Sequence, residues 1–244
     1  EGMCGRVVTT SSPEELSEYV GARDVVEALK GPDHNVAPSR LLPVAWVDDQ
    51  AASGRVLGVA QWGLVPSWAT DPAVGVRLFN ARAETVAVKP SFRAAFRRRR
   101  CLVLIDGFYE WGLSIAGSPK QPWFVYRADG SPLALAGLWE SRSDDGRTLR
   151  TCTVVTVPAN ADLAPVHHRM PAVVAEDDRD RWLDPTTSDR STLEEVLAPS
   201  PDGLLALHPV DRRVNDARQK GRELTIPVSL EALPDRSGSQ EVLW

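Results

Sequence analysis

The chain has 244 residues, of which 43% are apolar and 25% charged, with a formal net charge of −5. That length suits one large domain or two small ones, and that apolar content excludes a disordered chain. No apolar run is long enough to span a membrane, no signal peptide is visible, and three cysteines do not make a disulfide framework, so a reducing, cytoplasmic compartment is expected.

In chain order, Glu1-Gly2 reads as the remnant of an expression tag and is set aside. Met3-Cys4 follows, and a Met of initiator type before a small residue is the kind that is removed. Removal would leave Cys4 with an α-amine and a thiol on neighbouring carbons, with ordinary pKa values of about 7.7–8.0 and about 8.5. Such a pair condenses with an aldehyde to an imine and then closes to a thiazolidine. With Met3 attached the amine is absent, so the chain as written is expected to be an unprocessed form. Taken alone, a thiol near a terminus is more simply an ordinary buried cysteine.

Ser12-Pro13-Glu14-Glu15 combines an N-cap, a proline at the first helical position and a capping-box glutamate, which predicts a helix to about Val20. Further helix is expected over Asp24–Lys30, ended by Gly31-Pro32. Pro43–Val47 and Arg55–Gly63 read as strands, and Ser91–Arg99 as a helix with Phe92, Ala95 and Phe96 on one face. Cys101–Ile105, Trp123–Tyr126, Leu133–Trp139 and Cys152–Val157 are strand-like runs, with Asp144-Asp145-Gly146 a turn between the last two, and Cys101 and Cys152 are read as core. Asp178–Leu183 and Ser191–Leu197 read as short helices, and Leu204–Leu207 as a strand. Many strands, few short helices and no βαβ rhythm predict a single α+β domain with antiparallel, barrel-like sheets over residues 3–234, followed by a flexible tail at 235–244.

The net acidity hides an uneven distribution. Between Arg77 and Arg100 stand eight basic residues and one acidic residue, Glu84, so this segment carries +7 and the remainder −12. A basic face on an acidic protein suits phosphate backbones, although a solvated arginine-rich helix gives the same count. No phosphate-cradling glycine loop or dinucleotide fingerprint is present. His167 and His168 are adjacent, so in a regular strand they would not face one metal together, and neither metal nor cofactor is expected.

Four segments concentrate polar groups among apolar ones: Cys4-Gly5-Arg6, Phe79 to Thr85, Asp106 to Trp111, and Val166 to Pro171. Glu110 lies between aromatics, a setting that suits a carboxyl to proton transfer, and histidine is the side chain most easily set near neutral pH. Each in isolation is more simply a structural residue.

Together, Met3-Cys4-Gly5-Arg6, Asn35-Val36-Ala37-Pro38, Trp62 to Trp68, Asn80-Ala81-Arg82-Ala83-Glu84, Arg99-Arg100-Cys101-Leu102, Gly107 to Trp111 and His167-His168-Arg169-Met170-Pro171 resemble the SRAP family (SOS response-associated peptidase), in the family's order. The resemblance implies the SRAP fold. It implies a protein that binds single-stranded DNA, or single-strand/double-strand junctions, and crosslinks to abasic sites through a thiazolidine on the N-terminal cysteine, after cutting away its own initiator Met. Carried over by position, Cys4 is the nucleophile, Asn80 a positioning group, Glu110 a proton-transfer group and His167, the first residue of the family's His-x-Arg-Met-Pro, a second acid/base. Arg6, Arg82 and Arg169 are implied phosphate contacts, while Trp68 and Trp111 are candidate stacking surfaces for unpaired bases. A monomer, associated with the nucleoid when on DNA, fits work on a single lesion. Two other readings stay open: a cysteine hydrolase using Cys4, His167 and Asn80, which needs no free amine, and a non-covalent single-strand-binding module, which needs no Cys4.

Overall fold

Strands dominate because β-branched and aromatic residues alternate over most of the chain, interrupted by proline and glycine turns. The computed structural model describes residues 5–27, 31–48, 54–112, 120–144, 147–187 and 189–229. The first elements are β1 (Val7–Thr9), α1 (Pro13–Val20), β2 (Asp24–Val25), β3 (Asp33–Val36), β4 (Leu41–Val47) and β5 (Arg55–Trp62). A 3-10 turn, Pro72–Arg77, leads to β6 (Asn80–Arg82), α2 (Ala83–Val86) and α3 (Arg93–Arg98). Then come β7 (Arg100–Ile105), β8 (Gly107–Gly112), β9 (Gln121–Arg127), β10 (Leu133–Asp144), β11 (Arg147–Pro158) and β12 (Arg169–Pro171). The described chain closes with α4 (Arg179–Leu183), α5 (Arg190–Val196) and β13 (Leu205–Pro209).

Five strands form a closed barrel. β11, β10, β7, β4 and β5 pair antiparallel in that order, and β5 returns to β11 in parallel, Thr151 opposite Gln61 and Cys152 opposite Trp62. Leu42, Val44, Leu102, Leu104, Leu135 and Val154 are among the fully buried side chains of its core. A second, antiparallel sheet runs β13-β9-β8-β1-β3. The expected α+β class with barrel-like sheets is therefore the fold, with parallel pairings added where the barrel shuts. No helix among the described residues is long and apolar enough to cross a membrane.

The predicted capping box is formed at α1: the Ser12 hydroxyl accepts from the Glu15 amide, the Glu15 carboxylate accepts from the Ser12 amide, and Gly21 ends the helix at φ 65°. The helix expected over Asp24–Lys30 is not formed in its described part. Val25 and Val26 are exposed, so a helix there has no apolar face to bury, and Asp24 and Val25 instead pair in parallel with Val56 and Leu57 of β5. Residues 28–30 of that prediction lie outside the described residues. The other predicted elements are present, with β10 and β11 longer than expected and in register out to Asp144 opposite Arg147. Asp145-Gly146 of the predicted turn and the tail at 235–244 lie outside the described residues. Cys101 and Cys152 are buried free thiols, and burial pushes Cys152 up to about 12.

Candidate DNA-processing site

Strand β11 has two parts. Its Thr151–Cys152 stretch closes the barrel, whereas its later stretch holds β6 on one side and β12 on the other. Thr156 lies opposite Arg82 of β6 and opposite Pro171 of β12, so Asn80, Arg82 and Arg169 are carried on a three-stranded platform centred on one residue. Trp62 locks the entry to β6: its indole N–H donates to the Phe79 carbonyl at 2.8 Å and its ring meets Phe79 edge-on. Gly63 and Gly75 press their backbones together, and a Cβ built on either would come within 2.6 Å of the other's carbonyl oxygen. This brings the 3-10 turn ending in Arg77 against the platform.

The loop before β12 is equally tied down. Asn160 donates to the carbonyls of Ser200 and Pro201 and accepts from the Leu163 amide, while Asp162 accepts from the amides of Gly203 and Leu205. His167 stands at the end of this loop. Its Nδ1 lies 3.1 Å from the Arg169 amide nitrogen and 3.2 Å from the Arg169 carbonyl oxygen, so the backbone of Arg169 engages this ring nitrogen in either neutral tautomer. Burial, ahead of the positive charges nearby, holds its pKa below the ordinary imidazole value. His167 and His168 precede β12 rather than lying in a strand, and their rings stack with centroids 4.4 Å apart, so both face one cleft instead of opposite sides.

That cleft has a volume of ≈ 340 Å³. Asn80, Arg82, His167 and Arg169, four residues singled out in the sequence, line it together, joined by Arg77, Lys89, Thr156 and His168, which the sequence did not single out. Its described lining holds four cations, Arg77, Arg82, Lys89 and Arg169, and no carboxylate. Arg169 forms a two-pronged ion pair with Glu84, at 2.7 and 3.0 Å. Through it Glu84 is held below the usual carboxylate range.

The remaining candidates are placed as follows. Cys4 lies outside the described residues. The next residue, Gly5, is close to Phe79, the neighbour of Asn80. Glu110 is 3% exposed on β8, opposite Trp123, and is not part of the cleft's described lining. β8 pairs antiparallel with β1, Val7 opposite Phe108, and the Tyr109 amide donates to the Arg6 carbonyl, so β8 runs toward Glu110 as β1 runs back toward Gly5. The Arg6 guanidinium donates to Asn35 Oδ1 and to the carbonyls of Val214 and Asn215 rather than lining the cleft. Trp111 also reaches this segment, its indole N–H donating to Asn215 Oδ1 at 2.7 Å. Trp68 is 60% exposed, and its N–H reaches the carbonyl of Pro90, next to Lys89, at 3.4 Å.

The basic segment divides in the same way. Arg97 and Arg98 are exposed, and Arg99 pairs with Glu140 at 2.7 Å. Arg100 is 2% exposed and donates to the carbonyls of Phe96, Arg97, Trp182, Asp184 and Thr187. Burial lowers its pKa to about 10, which leaves it cationic at neutral pH.

Residues 3–217 match the profile of the family described as SOS response associated peptidase (SRAP). The abasic site processing protein YoqW of Bacillus subtilis is 33% identical over 224 residues, covering 91% of this chain and 98% of the relative. The abasic site processing protein HMCES of Xenopus tropicalis is 31% identical over 270 residues, covering 93% and 79%. YedK of Escherichia coli, named likewise, is 29% identical over 233 residues, covering 93% of this chain and 100% of its own. A crystal structure of a Bacteroides thetaiotaomicron protein superposes with a TM-score of 0.80 at 21% identity, covering 93% of this chain and 100% of that one, a likeness of fold.

Proposed function

The chain belongs to the SRAP family, and from that premise we propose that it processes abasic sites in single-stranded DNA or at single-strand/double-strand junctions by covalent capture through Cys4. The observation that carries this reading is the cleft. Asn80, Arg82, His167 and Arg169 come from separated stretches of sequence and share one space whose described lining is cationic. Such a surface attracts a phosphate backbone, and its polar groups suit proton transfer to a sugar.

The chemistry begins once hydrolysis of the Met3–Cys4 bond has freed the Cys4 amine. An abasic deoxyribose is mostly a closed hemiacetal. The neutral ring of His167 takes the proton of the anomeric hydroxyl, the resulting imidazolium returns a proton to the ring oxygen as the C1′–O bond breaks, and the C1′ aldehyde opens. The Cys4 amine adds to C1′, and Glu110 relays the protons that let the hydroxyl leave as water, giving an imine. Cys4 Sγ then adds to the imine carbon while the nitrogen takes a proton, closing a five-membered thiazolidine. One water is released and no phosphodiester bond breaks. Asn80 orients the sugar, Arg82 and Arg169 hold flanking phosphates, and Trp68 and Trp111 offer stacking surfaces. Arg6, engaged with residues 214 and 215, acts from behind by fixing the backbone two residues from Cys4.

Intact-protein mass tests the reading. A chain beginning at Cys4, incubated with an abasic single-stranded oligonucleotide, should gain the oligonucleotide mass less one water, and Cys4→Ala should gain nothing. A well-folded chain beginning at Cys4 that forms no adduct would sink the covalent mechanism and favour the hydrolase or the non-covalent binder.

A further inference from the structure

Glu84 is the one acidic residue in the basic stretch from Arg77 to Arg100, and its carboxylate sits against a cleft cation. The geometry at Arg169 leaves little room for anything else. Nη1 donates to Glu84 Oε1 and Nη2 to Glu84 Oε2, the end-on, two-pronged grip that a carboxylate and a phosphate share. Nη2 also donates to the Thr156 carbonyl at 2.7 Å. Nε is shut off from solvent and has no acceptor, so the side-on grip through Nε and Nη2 is closed to a ligand. A phosphate can therefore take Arg169 in two-pronged fashion only where Glu84 now sits. Arg169 is 12% exposed and anchored from beneath, whereas Glu84 is 49% exposed and held in part by this pair, so the glutamate is the partner able to move.

We propose that Glu84 is a built-in competitor for the nucleic-acid phosphate. It occupies the phosphate edge of Arg169 while the cleft is empty, and a bound strand displaces it. This rests on the reading of the cleft as a DNA site. The device lowers the pull of the cleft on any passing strand, because each encounter must break an existing ion pair before Arg169 contributes. Phosphate contacts carry no sequence information, so the effect is the same for every sequence.

Fluorescence anisotropy with a labelled, undamaged single-stranded oligonucleotide separates this from the alternative that Glu84 merely orients Arg169. Glu84→Gln keeps the shape and removes the charge, and it should bind about two- to fivefold more tightly than the unaltered chain, the range of a half-exposed ion pair. Glu84→Asp keeps the charge but withdraws it by one methylene, and should fall between the two. Thermal melting identifies the folded variants, and either one alone is sufficient. Binding equal to or weaker than that of the unaltered chain in a folded variant overturns the inference, since an orienting role predicts loss. If the unaltered chain itself binds no oligonucleotide, the DNA reading of the cleft fails and the inference falls with it.

Discussion

His167 shows how the fold sets a single side chain. The backbone of Arg169 engages one ring nitrogen, and burial disfavours the charged ring. An imidazole titration followed by NMR should therefore have its midpoint below about 6.5, the ordinary value. It should remain low in His168→Gln, because burial is the larger cause. The unfolded chain takes up this proton at a higher pH than the folded one. The stabilising effect of keeping His167 neutral is thus complete above the unfolded pKa and is lost as pH falls toward and through the folded value. A midpoint at or above the ordinary value would remove this account. The histidine was visible in the sequence as part of a motif. The way its ring is held was not, since that depends on a turn tied to residues 200–205.

At the scale of elements, the strands the sequence did not reveal are instructive. β1, β3, β6, β8 and β12 are three to six residues long or carry polar groups where alternation demands apolar ones, as at Asn80, Arg82, Glu110 and Arg169. Three of the five carry candidate site residues. Chemistry placed on a strand spoils the pattern by which the strand is recognised. The long apolar runs, β5, β7, β10 and β11, were legible because nothing functional interrupts their cores. The arginine run shows the opposite failure, since four identical letters have different roles, and tertiary packing alone assigns Arg100 to the interior. Its five carbonyl acceptors join the end of α3 to α4 and the turn beyond. Arg100→Met should lower the free energy of unfolding by about 3 kcal/mol in denaturant titrations, because the acceptors lose their donor without gaining water. Arg97→Met, at an exposed position, should change it by less than about 0.5 kcal/mol. Equal effects would mean that the buried network is not what holds these helices together.

For the whole molecule, fold class followed from strand frequency and the absence of βαβ rhythm, but barrel closure did not. The parallel contact between β5 and β11 joins residues about 90 positions apart, and no local pattern encodes such a pairing. The charge distribution, in contrast, was readable at this scale. A net charge of −5 coexists with a cleft lined by four cations, so binding is expected to be local and electrostatic. Three or four phosphates neutralised on a single strand predict a slope of about −2 to −3 in a plot of log affinity against log salt. Affinity for an undamaged oligonucleotide that does not vary with salt would show that the basic lining is not a phosphate track.

The double use of β11 has a mechanical consequence. The strand that shuts the barrel also carries the platform, and Val154, Val155, Thr156 and Val157 are buried, so the site has no hinge separating it from the core. Its amides should exchange with solvent only as the molecule as a whole opens. If the cleft takes a DNA strand as proposed, a floor this stiff makes the nucleic acid do the bending. Curling a nucleotide into the cleft costs least where no base has to leave a stack, which is the condition an abasic nucleotide meets. Recognition of the lesion then lies as much in the compliance of the strand as in any contact that the protein makes.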